Sequence, residues 1–503
     1  MASAKLRWLA AFAAGAITVL AFAPYGLGLI AVFTLAFLYW QLNQAETGRQ
    51  AIGLGYAFGL GLMGFGVSWI HHSIVQFGGI SQIAAIAITA LFVAVVSLYF
   101  ALFSGVYHTL NRYLSTRAAL LGLAPMVWVS VEALRSWLFT GFPWLVVGYS
   151  QIDLPLAGYA PVIGVLGISW LIALSAGLLH DWRSSWSWAG QIIIWGLGAL
   201  LTQYTWTQPT GEPFQASLIQ GNIAQQHKWQ PDWYPETIHR YRSLTKQAAD
   251  SKLVIWPETA VPAYNTRVET SLLQPLHDTM REQQRDLLTG IIVKEEGRYY
   301  NAMISLGQSG RQAYYKRHLV PFGEYLPGKA WLQPILDFMQ IPMSNFSAGT
   351  SDKPVLRLAG QLAGVDICYE DAFASEVMRA LPEAGYLINA SNDAWFGDSL
   401  APHQHLQIAR MRAQETERYL LRTTNTGISA IINTKGQIQQ QAAQFATAAV
   451  SGTVQARHGA TPYAIWGDGI LLIFYILTFI WWIFTKRYFS VSNFQNEMRS
   501  HFF

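Results

Sequence analysis

Charge is what this chain has least of. Asp, Glu, Lys and Arg make up 12% of its 503 residues, about half the share found in a soluble domain. With 52% hydrophobic residues and a mean hydropathy of +0.23, that deficit excludes intrinsic disorder, a fibrous repeat and an ordinary cytosolic enzyme. Cysteine is nearly absent. The single Cys368 rules out an internal disulfide and any multi-cysteine zinc site. A net charge of +4 is too small to argue for a nucleic-acid partner. No internal repeat and no phosphate-binding glycine motif stands out, and no cofactor is expected.

The charges that are present sit unevenly. Residues 1–206 hold 11 of the 62 charged side chains and residues 460–503 hold 5, which leaves 46 for residues 207–459. The chain reads as a membrane domain (1–206), a water-facing domain (207–459), and a last span with its tail (460–503). A spanning helix needs about 20 mostly apolar residues. Seven such stretches come first, near 7–22, 26–42, 51–70, 81–107, 117–138, 158–180 and 187–205, and an eighth lies near 464–485. The first has a second reading as a signal peptide, because Lys5 and Arg7 precede an apolar run ending Ala21-Phe22-Ala23. Against it, the run passes through Pro24-Tyr25-Gly26 straight towards the next span.

Orientation follows from Lys and Arg near the span ends. With the N-terminus inside, the cytoplasmic segments carry Lys5, Arg7, Arg49, Arg112, Arg117, Arg183, Lys486 and Arg487, while the short outer loops carry none. Seven spans then put residues 207–459 outside the cytoplasm.

That domain alternates strand and helix. Strand-like runs are 216–219, 253–256, 287–292, 362–367, 386–389 and 427–432, with helical stretches at 235–250, 270–284, 373–381 and 403–421. Short buried strands alternating with helices argue an α/β layered fold, in which ligand-facing groups lie just past strand ends. Three strand ends carry unusual residues: Trp256-Pro257-Glu258-Thr259, Tyr315-Lys316-Arg317-His318 leading to Glu324, and Asp366-Ile367-Cys368-Tyr369-Glu370-Asp371. Taken singly, Glu258 is a solvated loop carboxylate, Lys316 a surface ammonium and Cys368 a small buried hydrophobe. Together they make chemical sense. A carboxylate can take the proton of a thiol nucleophile, and an ammonium can favour the thiolate and steady an oxyanion. The backbone N–H of Tyr369, following the nucleophile, is a natural second oxyanion donor.

The order Glu258, Lys316, Cys368, in the motifs WPET, YKRHLVPFGEYLP and ICYED, resembles the catalytic triad of the nitrilase superfamily. With its membrane stretches the whole chain resembles the bacterial apolipoprotein N-acyltransferases. The likeness includes Gly66-Val67-Ser68-Trp69, Thr140-Gly141-Phe142-Pro143-Trp144, Gln220-Gly221-Asn222-Ile223, Asn392-Asp393-Ala394-Trp395-Phe396-Gly397 and Arg422-Thr423-Thr424-Asn425. The resemblance implies a multi-span α-helical membrane domain carrying an inserted α/β nitrilase-like domain, an α-β-β-α sandwich, on the periplasmic side of the inner membrane. It implies a ping-pong acyl transfer through a Cys368 thioester. The donor implied is a phospholipid, phosphatidylethanolamine by family pattern, and the acceptor the N-terminal amine of a diacylglyceryl apolipoprotein. Glu324, Tyr369 and Glu370 carry over as supporting residues, with Trp229 and Trp395 as candidates for lining the lipid site; simple aromatic packing is the other reading of those two. His71-His72 departs from the apolar or aromatic residues expected there.

Several features stay open at this level. The stretch 325–346 is apolar and broken by Pro327, Pro334 and Pro342, which fits either a membrane-dipping lid or a core segment. Glu132 and Arg135 are either a functional intramembrane pair or an anchor for the outer loop. His403-Gln404-His405 has two imidazoles but no third ligand, so no metal is expected. Rival functions are a membrane-anchored nitrilase-type amidase or hydrolase using the same triad, and a transporter. The transporter would need intramembrane charges that the spans scarcely offer.

Overall fold

The computed structural model describes residues 2–325, 345–473 and 475–476. Each of the seven apolar stretches is helical: Ala2–Thr18, Leu29–Asn43, Gly48–Gly66, Gln82–Asn111, the run from Thr116 to Trp137, Ala160–His180 and Ser185–Leu201. Among the described residues, three helices are long and apolar enough to cross a bilayer: Gln82–Asn111, Thr116–Thr140 and Pro155–His180. A fourth joins them if Gly48–Gly66 and Ile70–Gln76, bent by 51°, form one span. The expected stretch 51–70 is therefore broken. Val67 leaves helical geometry at ψ 17° and a separate helix, Ile70–Gly78, follows. Ala2–Thr18, Leu29–Asn43 and Ser185–Leu201, at 17, 15 and 17 residues, are shorter than the roughly 20 that a straight crossing takes. Outward faces are apolar, with Ile83, Leu91, Leu98, Ile192 and Leu200 all exposed. That is the surface a helix presents to lipid rather than to water. The 325–346 stretch, apart from its ends, and the expected eighth span beyond residue 476 lie outside the described residues.

In the second half, apart from a separate two-stranded ladder that pairs Gln208–Pro209 with Arg457–His458, two large β-sheets pack face to face. One has the strand order Ala448–Val454, Phe214–Gln220, Leu253–Ile255, Asp286–Glu295, Arg298–Gly307, Ala313–Tyr315, with Val261–Tyr264 pairing beside Asp286–Glu295. The other runs Ile438–Gln441, Ala430–Ile432, Leu420–Thr424, Tyr386–Ser391, Gln361–Ile367, Val355–Leu358. Their facing sides share one core, in which Leu218, Ile255, Leu288 and Met303 meet Val365, Ile367, Ile388 and Leu421. Helices cover both outer faces. Tyr234–Gln247, with proline in its first turn, turns Ile238, Tyr241 and Leu244 onto the first sheet. Ala401–Thr416 lays Leu406, Ala409 and Ala413 on the second. The result is an α-β-β-α sandwich.

The central strands are parallel, so the loops at their C-terminal ends converge on one edge. The helix expected over 403–421 ends at Thr416 instead. Glu417 turns left-handed at φ 47° and the chain re-enters the sheet as Leu420–Thr424. The Glu417 carboxylate then accepts from the N–H groups of Trp206 and Thr207 at 2.8 and 2.9 Å, tying the start of the sandwich to the end of that helix.

Candidate active site

Cys368 stands where the Gln361–Ile367 strand turns into a short 3-10 turn, Cys368–Ala372. Its φ is +57°, an uncommon conformation for a residue with a Cβ and one that thrusts the side chain out of the strand end. Glu370 locks this elbow. One carboxylate oxygen accepts from the backbone N–H of Arg317 (2.7 Å) and His318 (3.0 Å), the other from Ile367 N–H (2.7 Å) and the Tyr314 hydroxyl (2.8 Å). Burial pushes Glu370 up to about 7 against the pull of Lys316 and those N–H donors. It therefore fixes the Cys368 turn to the segment carrying Lys316.

Lys316, 1% exposed, lies between two carboxylates. Its Nζ is 2.9 Å from Glu324 and 3.7 Å from Glu258. Burial pulls the ammonium down, but Glu324 and then Glu258 outweigh it and hold the pKa raised, so this cation is permanent. Glu258 ends the turn after Leu253–Ile255, and that turn presses on Gly290, where a Cβ would lie 2.3 Å from Thr259 N. Burial first, then Glu258, raises the Cys368 thiol, while Lys316 opposes them. The thiol is therefore protonated at rest. Glu258, Lys316 and Cys368, the three residues expected from sequence, are thus all buried and electrostatically coupled, together with Glu324.

Two members of this cluster escaped the sequence reading. Asn301, inside the Arg298–Gly307 strand, donates from Nδ2 to Glu258 (2.7 Å) and to Glu324 (2.9 Å). The signal for it was a lone amide amid apolar strand residues. Lys228, 3% exposed, donates to the backbone carbonyl of Glu258 at 3.1 Å.

Behind the elbow lies a fully buried charged network. Arg422 pairs with Asp393 at 2.7 Å and Asp371 at 3.4 Å, and His405 bridges the same two aspartates at 3.0 and 2.8 Å. His405 Nε2 also lies 3.3 Å from the Cys368 carbonyl oxygen, which accepts from Asn389 at 3.0 Å. Burial and Arg422 pull His405 down, yet Asp371 and Asp393 carry it up to about 9. Burial would raise Asp393, but Arg422 and His405 bring it down to about 2. Two cations thus meet two carboxylates under the Cys368 turn, which is what a buried charge needs.

The elbow also touches the membrane domain. The Tyr369 hydroxyl donates to the carbonyl of Gly141 at 3.2 Å, and its ring stacks on Trp144 at 6.2 Å. Gly141 has φ +88°, and a Cβ there would meet Ser136 O at 2.1 Å. Glu132 and Arg135 shape this loop. Glu132 accepts from Val147 N–H at 2.9 Å, and Arg135 donates to the carbonyls of Phe142, at 2.9 Å, and Trp144. The anchoring reading of that pair is the one the geometry matches. On the Ala401–Thr416 helix, Gln404 accepts the indole N–H of Trp144 at 2.7 Å and of Trp69 at 3.2 Å.

The remaining residues singled out from sequence are peripheral. Trp229 is 38% exposed beside Lys228, and the Trp395 carbonyl accepts from Ser73 at 2.6 Å. His71, His72 and His403 line an outer cavity of about 440 Å³ with Asp398 and Ser68, whereas His405 belongs to the buried network. His403 and His405 therefore do not act as a pair.

Each half of the chain matches a known family profile. A family profile described as "Apolipoprotein N-acyltransferase N-terminal domain" matches residues 14–178, and one described as "Carbon-nitrogen hydrolase" matches residues 215–463. The apolipoprotein N-acyltransferase of Methylococcus capsulatus is 44% identical over 472 residues, covering 92% of each chain. That of Nitrosomonas europaea is 45% identical over 474 residues, covering 92% of this chain and 94% of its own. Among solved structures, the nitrilase-superfamily protein Nit3 of Saccharomyces cerevisiae is 18% identical with a TM-score of 0.37, covering 50% of this chain and 92% of its own. A chain that matches full-length relatives at this identity, and both of their characteristic domains, belongs to the apolipoprotein N-acyltransferase family, a family of membrane acyltransferases.

Proposed function

We propose that the enzyme moves an acyl chain from a phospholipid, with phosphatidylethanolamine the expected donor, to the α-amine of a diacylglyceryl-cysteine apolipoprotein. This is a ping-pong reaction and the last step of lipoprotein maturation. The observation that carries it is the sole thiol, held at positive φ within electrostatic reach of Glu258 and Lys316, on an elbow joined through Tyr369 to the apolar helices. In the first half, Cys368 Sγ attacks the sn-1 ester carbonyl carbon while its proton passes to Glu258. The carbonyl electron pair moves onto oxygen, facing the Lys316 ammonium and the Tyr369 backbone N–H. Collapse breaks the ester C–O bond, and the glycerol oxygen leaves with the proton from Glu258 as a lysophospholipid. In the second half, the amine nitrogen attacks the thioester and Glu258 accepts its proton. Collapse then breaks the C–S bond, the thiol is restored and the amide remains.

Glu324 and Asn301 hold Glu258 and Lys316 in register, while Trp229 and Trp395, at the periphery of this cluster, are the candidates for meeting the lipid. The test is incubation of purified protein with phospholipid and a diacylated lipopeptide, read by mass spectrometry. The lipopeptide should gain one acyl chain on its amine. Release of free fatty acid with the peptide unchanged would favour the amidase or hydrolase reading instead.

The same reading puts the catalytic domain on the periplasmic side of the inner membrane, with seven spans before it and one after, an orientation that rests on the Lys/Arg asymmetry. A reporter active only outside the cytoplasm should be active when fused after Gly310 and silent when fused after Arg117. The reverse pattern would sink the orientation.

A further inference from the structure

We propose that Lys228 is a positioning residue for the thiol–carboxylate pair, the second cation facing Glu258 and Cys368. The inference rests on the Cys368–Glu258 reading above. Lys228 closes the short helix Gln225–Lys228 and is 3% exposed. Lysine is almost never buried to that extent without a carboxylate partner. Here its hydrogen bond goes to a backbone carbonyl, that of Glu258 at 3.1 Å, while the negative charge close enough to act on it is Glu258, joined by Cys368 only once the thiol ionises. An ammonium placed this way does two things. It pins the turn that carries the Glu258 carboxylate, and its charge favours the thiolate formed as Glu258 takes the proton.

The segment bearing Lys228 is held by a ladder of amides. Asn425 donates to the carbonyl of Ile223 at 2.7 Å and to Asn392 Oδ1 at 3.1 Å, and Asn392 donates to Gln225 at 2.7 Å. The residues of three separate motifs thus fix one lysine against the candidate base. Burial draws its pKa down to about 8, with Glu258 and Cys368 resisting. The other charged groups around the thiol are Lys316, Asp393 and Arg422, with Glu324 paired to Lys316 and Asp393 to Arg422.

Since Cys368 is the only thiol, its alkylation by iodoacetamide reads the site directly. The full-length protein in detergent is followed by intact mass across neutral and alkaline pH. Lys228→Gln keeps a donor for the Glu258 carbonyl but removes the charge. It should slow alkylation at neutral pH about tenfold and move the pH profile up by about one unit, the size of shift a nearby charge produces. Lys228→Arg keeps the charge and should match the unmodified protein at neutral pH, the two parting only above about pH 8, where the buried lysine gives up its proton and an arginine does not. A Lys228→Gln profile that superimposes on that of the unmodified protein would overturn the assignment. So would a Lys228→Arg profile displaced as far as the Gln one, because shape rather than charge would then decide. If Lys228→Gln fails to fold, the Arg profile alone decides in the same sense. Alkylation needs neither lipid nor lipopeptide, so failure of acyl transfer and failure of this inference remain distinguishable.

Discussion

Cys368→Ala is expected to abolish both the acyl-enzyme and the transfer reaction. In a ping-pong reaction, phospholipid alone acylates the protein before any acceptor is present. The intact mass of the unmodified enzyme should therefore rise by one acyl chain. Hydroxylamine should remove that chain, because a thioester yields readily to this nucleophile, and a diacylated lipopeptide should discharge it onto its amine. With a single cysteine in the chain, a thioester in the alanine variant is chemically impossible. Cys368→Ser should also fail at turnover. A hydroxyl ionises far less than a thiol under the same base, and here burial already raises even the thiol. Acyl transfer surviving in Cys368→Ala would refute the cysteine mechanism outright.

The elbow explains why the candidate thiol was legible in the sequence while the residues around it were not. Glu258, Lys316 and Cys368 each end a strand of apolar residues, and short motifs mark those ends. The C-terminal ends of the parallel central strands converge on one edge of the sandwich, so three motifs far apart in sequence meet in space. Asn301 sits instead in the middle of a strand, where one amide in an apolar run carries no sequence signal of its partners. Lys228 follows two glutamines and a histidine and reads as a solvated helix end; only its burial against the Glu258 turn reveals it. His405 and Arg422 are similar cases. Each looks like an ordinary polar residue until Asp371 and Asp393 arrive from two other loops. The membrane domain shows the opposite limit. Hydropathy measures how long an apolar stretch is, but a helix ends where the backbone turns, as at Val67 and in the segment after Thr18. Glu132 and Arg135 were visible as a pair three residues apart. Their use on the backbone of the following loop could not be read until the 138–147 segment was seen folded over them.

The second large effect is expected at Glu258 and Lys316. Glu258→Gln retains the shape of the side chain and a group able to accept from Asn301, but removes the acceptor for the Cys368 proton. Lys316→Ala removes the cation facing the developing oxyanion, and loss of one such donor typically lowers turnover about a hundredfold to a thousandfold. Both variants should lose most turnover while staying membrane-inserted. The Lys316 variant has a second consequence. Glu258 and Glu324, 8% and 13% exposed in their side chains, would face each other without their shared ammonium, and stranding buried charge is strongly destabilising. Its thermal midpoint should fall. Pairing Lys316→Met with Glu324→Gln removes one of the two stranded carboxylates and should recover much of that stability, with turnover still lost. Recovery of stability together with activity would assign Lys316 a purely structural role. Near-normal turnover in Glu258→Gln would likewise take that carboxylate out of the proton transfer, leaving the thiol to find another base.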